Sequence, residues 1–519
     1  MKLKEKLHNQ VVFKPYNNKQ ILLLPPSLEE LIAENHPVRV VNSVIDSLDI
    51  SLLESNYESG GTSSYHPRML LKVVVYSYLQ NIYSSRGMEN GLKEHIHMMW
   101  LSGMSYPDHN TLNRFRSHRL KDSLKEIFRQ VVLLLVESGH ISLKSIYTDG
   151  TKIEANANKY TFVWGKSIET NKKKLYAQIE ELWRYTEGVA SEEMADKQLP
   201  AFEQIDAQKV RETISTLNEA LKEQIANNTV DTKKVDKLKY AEKNYPQKLE
   251  EYAVKEQILN GRNSYSKTDE DATFMRLKED HMENGQLKAA YNGQISTENQ
   301  FIVHYSIHQS PTDTNTLISH MEGLREQFGD VVEEQTADAG YGSEENYVYL
   351  EEHNIEAYVK FNQFHNEQTA KFKNKIGHID NLHYNPDGDY FVCPMGQHMT
   401  KVSVHKQKTK TGFEQTITSY QAKRCEGCPL RGICFEAKEN RVVQTNHNLR
   451  RLKTKARENL NSEKGIKHRK KRPCDVEPVF GNIKNNHYFK RFRLRSLVKV
   501  EIELGLVALA HNLRKKAAA

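Results

Sequence analysis

The sequence predicts a mixed α/β fold with two insertions, preceded by an all-helical N-terminal region. Three observations carry this. Residues 1–140 read as helical, with apolar residues recurring at helical spacing from Met69 to Tyr83. From residue 141 to 361 strand-like and helix-like stretches alternate, which implies a layered α/β core with a mixed sheet. Two stretches of different composition, 169–284 and 362–463, interrupt that rhythm before residues 464–519 complete the core.

In the N-terminal region, MLLKVVVYSYLQNIY (69–83) reads as one amphipathic helix and Met88–Trp100 as a second that stops near Gly103. Pro107-Asp108 opens a third, DHNTLNRFRSHRL, with Asp108 as N-cap. Its basic residues, Arg114 and Arg116 among them, make a helix-turn-helix contact with DNA one reading; an ordinary helical bundle is the other. ISLKSIYTDGTKIEA (141–155) then alternates as a strand does, with Asp149 at its end. The Lys- and Glu-rich stretch from Glu169 to about Glu256 reads as long solvated helices. Strand-like sequence resumes at 287–308, followed by a helix from Thr314 to Phe328 and a strand to Asp338. A helix at Ser343–His353 and a strand at Ile355–Phe361 come next, and the chain ends on a helix at Leu497–Lys515.

At 519 residues the chain is too long for one ordinary core. Its longest apolar runs, such as Val131–Val136, are too short to span a bilayer, and MKLKEKLHNQ lacks the apolar stretch of a signal peptide. A cytoplasmic protein without a membrane partner is the expectation. The net charge of +7 is modest, but its distribution is uneven: KGIKHRKKRPCDVEPVFGNIKNNHYFKRFRLR (464–495) holds few acids, with aromatic residues among its cations. That density suits a polyanion; a solvated face with a few core aromatics would read the same way.

Three acids stand out by context. Asp149 is followed by Gly150-Thr151, Asp338 ends a strand in TADAGYGS, and Glu477 precedes Pro478 at the first turn of a helix, with Asp475 as its candidate N-cap. Acids at strand ends joined by one from a helix can converge. Their mutual repulsion would be removed by Mg²⁺ or Mn²⁺, which take oxygen ligands and support phosphoryl chemistry in pairs. Taken singly, each acid also has an ordinary turn or helix-start explanation. Tyr291-Asn292-Gly293-Gln294 reads as a turn closing a strand; the alternative is that its Asn and Gln position DNA or a carboxylate. Cys393, Cys425, Cys428 and Cys434 offer four thiolates at a spacing that suits structural Zn²⁺, with reduced free thiols as the alternative.

Several motifs together resemble the DDE transposases of bacterial insertion sequences, in particular the insertion sequence eleven-eighty-two group. They are HPVRVVNSVID, YHPRMLLKVVVYSYLQNIYSSRGMEN, PDHNTLNRFRSHR, DGTKIEANANKY, AAYNGQ, TADAGYGS and VEPVFGNIKNNHYFKRFRLRS, in order from about residue 20 to the C-terminus. The resemblance implies an RNase H-like catalytic core built from 141–168, 285–361 and 464–519, with Asp149, Asp338 and Glu477 as its acids. The same family carries a Tyr and an Arg before the glutamate and a Lys after six intervening residues. Lys484 fits the last position, Arg472 lies one residue off, and Lys470 stands where the Tyr would be. The implied activity is metal-dependent cleavage and strand transfer of double-stranded DNA, at element ends and target, by a homodimer assembled on DNA. Lys484, Arg472, Lys490, Arg491 and Arg493 would grip phosphates. A resident nuclease of the same fold and a non-catalytic DNA-binding descendant are the rival readings.

Overall fold

Strand β1 (Ser145–Glu154) is the axis around which a computed structural model of the chain is organised. The structure describes residues 26–57, 64–200, 206–227, 229–277 and 286–519. The first 25 residues, on which the signal-peptide reading and the start of the family resemblance rest, lie outside the described residues.

β1 is followed by β2 (Phe162–Trp164), β3 (Ser264–Ser266), β4 (Thr273–Arg276), β5 (Leu287–Glu298), β6 (Phe301–His308), β7 (Glu334–Ala337) and β8 (Glu356–Val359). In the central sheet β5 lies antiparallel to β1 on one side, and both β4 and β6 pair with its far edge. On the other side β7 runs parallel to β1 and β8 parallel to β7. β5 and β6 form a hairpin whose turn residues Asn299 and Gln300 both have positive φ, 53° and 64°, the twist that suits a two-residue loop. The β1–β7 register pairs Ser145 with Glu334 and Tyr147 with Thr336; continued by two residues, it brings Asp149 level with Asp338. Asp149 stands at the middle of β1 rather than at its end, because pairing with β5 carries the strand on to Glu154.

The N-terminal helices follow the expected pattern with one division. Pro67–Leu79 is a single helix, but the stretch from 88 to 100 is split into Ser85–Glu94 and Ile96–Ser102 by extended backbone at His95. Gly103 closes the second in the left-handed conformation, φ 56°, that a β-carbon disfavours. Asp108 caps the third helix, accepting from Thr111 N at 2.8 Å. These helices share one continuous hydrophobic core with the central sheet, through Leu497–Ala518, which packs on β6 and on Pro67–Leu79. Glu503, fully buried in that C-terminal helix, accepts from the backbone N–H of Arg493 and Leu494 and from the Tyr78 hydroxyl.

Between β2 and β3 the charged stretch folds into helices Gly165–Val189, Ala207–Ala220 and Thr232–Leu259, joined by shorter ones. They enclose a core of their own, including Ile179, Trp183, Val210 and Leu217. After β8 the chain forms a second sheet, in the order β13-β12-β11-β10-β9, from β9 (His383–Asn385), β10 (Tyr390–Val392), β11 (His398–Lys408), β12 (Glu414–Gln421) and β13 (Val442–Thr445). Its small core includes Phe391, Met399 and Tyr420. Helices His447–Asn461 and Glu463–Asp475 lead back to the central sheet. Among the described residues no helix is long and apolar enough to cross a membrane.

Candidate active site

Asp149 and Asp338 are brought together by strand register, and Glu477 is carried to them by a helix fixed to the same sheet. Helix Glu463–Asp475 is anchored at both ends. At its start Lys464 bridges Glu334 and Glu356, and His468 lies between the Tyr147 hydroxyl (3.0 Å) and Glu334 (3.1 Å). At its end Asp475, only 2% exposed, accepts from Thr297 Oγ1 at 2.7 Å and Gln300 N at 3.1 Å. Asp475 is therefore not the N-cap expected from sequence. It ends one helix and ties it to the β5–β6 hairpin, while Glu477 opens the next short turn, Glu477–Gly481.

The three acids meet around one guanidinium. Arg472 Nη2 lies 3.1 Å from Asp149 and 4.0 Å from Asp338, and its Nη1 lies 3.3 Å from Glu477. Asp149 and Arg472 are nearly buried, with side chains 13% and 9% exposed, whereas Asp338 and Glu477 open toward solvent at 40% and 55%. Asp338 also caps the turn that follows β7, accepting from Gly340 N at 2.8 Å. Segments more than 300 residues apart in sequence thus deliver three carboxylates to one cation.

A fourth carboxylate, Asp313, is not singled out by the sequence. Its Oδ1 accepts from Asn292 Nδ2 at 2.7 Å and from Gln294 Nε2 at 3.0 Å. A β-carbon built on Gly150 would lie 2.7 Å from the same oxygen, so glycine beside Asp149 admits this acid. The turn after Asp338 is braced from the same side. Thr314 Oγ1 donates to Gly340 O at 2.8 Å, Asn346 donates to Tyr341 O at 2.8 Å, and the Tyr341 hydroxyl donates to Gln294. Burial, reinforced by the charges of Asp313, Asp149 and Asp338, pushes the Tyr341 phenol well above the usual tyrosine range. The Tyr291–Gln294 stretch is not a turn: it lies in the interior of β5, where Asn292 and Gln294 share a face two residues apart. Two buried carboxamides on one strand face were the available signal for a polar partner.

The basic residues divide. Lys484 is 7% exposed in a widened turn after Glu477, with its ammonium donating to Lys152 O on β1 at 2.9 Å. Lys490, Arg491 and Arg493 lie on a segment that pairs with the end of β1, through Glu154 N to Lys490 O and Phe492 N to Glu154 O. Lys490 and Arg493 are exposed; Arg491 spends its donors on Ala155 O and Ala157 O. Arg114 is exposed, but Arg116 is 3% exposed and bound to the Tyr78 hydroxyl and Tyr83 O, because Tyr78 and Glu503 need a buried cation. Arg116 is thus withdrawn from any DNA surface. Of the aromatic residues in the basic run, Tyr488 is 74% exposed, whereas Phe489 belongs to the core against Tyr83 and Phe492.

Among the described residues no group of three or more His, Cys, Asp or Glu side chains is arranged to hold a metal ion. For the acids the reason is visible: Arg472 stands where they converge. The donor set is nevertheless all carboxylate oxygen already gathered around a cation, which suits a hard divalent ion. The cysteines fit less well. Arg441 donates to the sulfurs of Cys425 (3.4 Å, backbone N) and Cys434 (2.8 Å, Nη1). The zinc reading of Cys393, Cys425, Cys428 and Cys434 therefore rests on their spacing.

Residues 392–517 match the family described as transposase DDE domain, and residues 26–118 match the family described as transposase domain (DUF772). Glu477 falls inside the first match, and Asp149 and Asp338 lie outside both. No curated protein matches the chain. The two matches together indicate a transposase, a DNA-processing enzyme.

Proposed function

We propose that this chain is a DDE transposase with an RNase H-like core, in which Asp149, Asp338 and Glu477 form the catalytic acid set for cutting and joining DNA. The observation that carries this reading is the convergence of the three acids on the Arg472 guanidinium. The sheet supports it as well: an antiparallel run of β1, β5 and β6 continues into parallel β7 and β8, with Asp149 and Asp338 level on neighbouring strands.

Divalent metal ions held by the three carboxylates would supply charge for the phosphoryl oxygens and a more acidic attacking water. The chain's own residues set the geometry. Strand register fixes Asp149 against Asp338, the anchored helix sets Glu477 across from them, and the Asp313 network holds the turn after Asp338. In the reaction proposed, water attacks a phosphodiester at the element end, a new P–O bond forms, and the 3′-oxygen leaves as a free hydroxyl. That hydroxyl then attacks a target phosphodiester and displaces the target strand's own 3′-oxygen. Joining two ends calls for two such sites, hence a homodimer on DNA.

The test is cleavage and joining of a plasmid carrying the DNA that flanks the gene, in Mg²⁺. Asp149→Asn, Asp338→Asn and Glu477→Gln are each expected to abolish cutting while DNA binding persists. A variant that cuts at the wild-type rate removes that residue from the set. Cutting without joining would leave a nuclease, and binding without cutting a DNA-binding descendant.

A further inference from the structure

Helix His447–Asn461 is basic on two sides, and the two sides differ. On one, Arg451 and Lys455 both pair with Glu351. On the other, Asn446, Leu449, Arg450, Lys453, Thr454 and Arg457 recur at helical spacing and line one wall of a groove of about 720 Å³. The opposite wall comes from 362–381 and includes Lys373. Arg457 is paired with Glu367, but Arg450, Lys453 and Lys373 have no carboxylate partner among the described residues. Arg450 is held across the faces of Phe391 (5.1 Å) and Tyr384 (5.9 Å), and its Nη1 is buried with no acceptor.

The groove is connected to the acids. Lys453 and Arg457 each lie 5.5 Å over the ring of Phe361, which stacks edge-on against Phe364 at 5.6 Å. Arg469 lies over Phe364 at 5.3 Å, one helical turn from Arg472. Arg469 Nε and Arg472 Nε, like Arg450 Nη1, are buried donors without acceptors. Lys360, next after β8, lies within electrostatic reach of Arg472 and Arg469 and also of the acids Asp338 and Glu477. Arg457 and Arg472 have acid partners and Glu367 and Asp380 also line the groove, but Arg450, Lys453 and Lys373 have no carboxylate partner among the described residues, and buried cationic donors left unused cost stability unless an anion completes them. Phe361 and Phe364 are each 1% exposed, so they support cations and offer no face to a base.

We propose that this groove binds the phosphodiester backbone of duplex DNA, and that Arg472, Arg469, Arg457, Lys453 and Arg450 trace the path of that duplex away from the three acids. The proposal rests on the reading of the acids as a DNA-cutting site and adds where the DNA lies. Contacts of this kind position the duplex without reading its sequence. The second sheet, through Gln444 and Thr445 of β13, would then form part of the wall of the DNA channel.

The experiment uses the full chain and a random-sequence duplex, with binding titrated at several salt concentrations. Lys373→Gln with Lys453→Gln removes two unpaired cations from the groove. The logarithmic salt slope is expected to fall by roughly 1.8, about 0.9 for each phosphate left without its cation. Arg451→Gln with Lys455→Gln, on the opposite face of the same helix, is expected to leave the slope unchanged. If the wild type cuts and binds DNA while the groove variant keeps its slope, or if both variants lose equally, the groove is not the path. If the wild type shows no salt-dependent binding to duplex DNA, the DNA-cutting reading falls with it.

Discussion

Replacing Arg472 with glutamine should turn the acid cluster from a satisfied site into one that needs a metal ion to be stable. The nearly buried contact to Asp149 at 3.1 Å is the main loss. Removing one partner of such a pair costs about 3–5 kcal/mol. The contacts to Asp338 at 4.0 Å and Glu477 at 3.3 Å are solvent-screened, since those acids are 40% and 55% exposed, and each adds at most about 1 kcal/mol. Repacking around glutamine, which still donates one hydrogen bond, argues for the lower end: a net loss of about 3 kcal/mol in chelator. A divalent ion binding only the folded state at a hundred times its dissociation constant returns about 2.7 kcal/mol. In the wild type the same ion must displace the guanidinium, so its gain is smaller. Urea unfolding of Arg472→Gln and wild type, in chelator and in Mg²⁺, measures all four states. A variant as stable as wild type in chelator, or a Mg²⁺ shift no larger in the variant, would refute the reasoning.

Three further outcomes rest on the same geometry. Asp313→Asn opposes an amide to the Asn292 and Gln294 amides that now donate to it; cutting in Mg²⁺ is expected to fall about 10- to 100-fold, as for outer-shell groups of metal sites, with binding to DNA unchanged. Unchanged cutting would make Asp313 a purely structural acid. Burial holds His304 and His511 neutral, each lowered to about 4 from an ordinary value near 6.5. The unfolded chain therefore binds protons first: their contribution is complete above about pH 6.5 and is lost as pH falls toward about 4, up to about 3 kcal/mol for each. Urea midpoints from about pH 7.5 to 5 should decline, and His511→Gln should flatten the decline; a flat wild-type profile would count against burial as the cause. The cysteine spacing predicts about one Zn²⁺ per freshly purified, reduced chain, lost in Cys425→Ser, and elemental analysis finding none would leave four free thiols, two of which, Cys425 and Cys434, accept from Arg441.

What can be read from the sequence is whatever depends on neighbours in sequence. The strand expected over 141–155, the helix expected over 69–83 and the Asp108 cap are local, and each is found in the structure with shifted ends, the strand at 145–154 and the helix at 67–79; burial along the strand does not alternate, because five consecutive residues, Ile146 to Gly150, are buried. The candidate acids can be named from their surroundings because a strand followed by a turn leaves a recognisable trace. Their meeting point cannot, since it depends on the β1–β7 register and on Asp475 reaching across to Thr297. Asp475 illustrates the limit: from sequence it is a good N-cap before Glu477-Pro478, and only the proximity of the β5–β6 hairpin makes it a buried anchor. The turn reading of Asn292 and Gln294 fails for a related reason, while the alternative, that they position a carboxylate, matches their bonds to Asp313. Asn-Gly suggests a turn, but the pairing of β5 with both β1 and β6 keeps the backbone extended through it.

The cations show most clearly why density along the chain is a poor guide to function. The run from Lys464 to Arg495 is the obvious polyanion surface, yet Lys464, Arg472, Lys484 and Arg491 all have protein partners. Lys453 and Arg450, in the equally basic run LRRLKTKAR outside that stretch, face a groove and have no carboxylate partners among the described residues. What decides whether a cation can take a phosphate is whether the fold has already supplied it with an acceptor, and that is settled by tertiary contacts. The same reasoning applies to Arg472 itself. Its guanidinium is committed to the acids in this conformation, so any contact it makes with DNA requires that a competing cation first release it. DNA binding and metal binding would then favour each other through one side chain: metal frees Arg472 for phosphate, and phosphate bound to Arg472 leaves the acids open. Wild-type affinity for duplex DNA should accordingly rise on adding Ca²⁺, a divalent ion that takes the same oxygen ligands, and Arg472→Gln should lose that coupling while retaining the groove contacts. Equal coupling in both proteins would show that Arg472 does not link the two events.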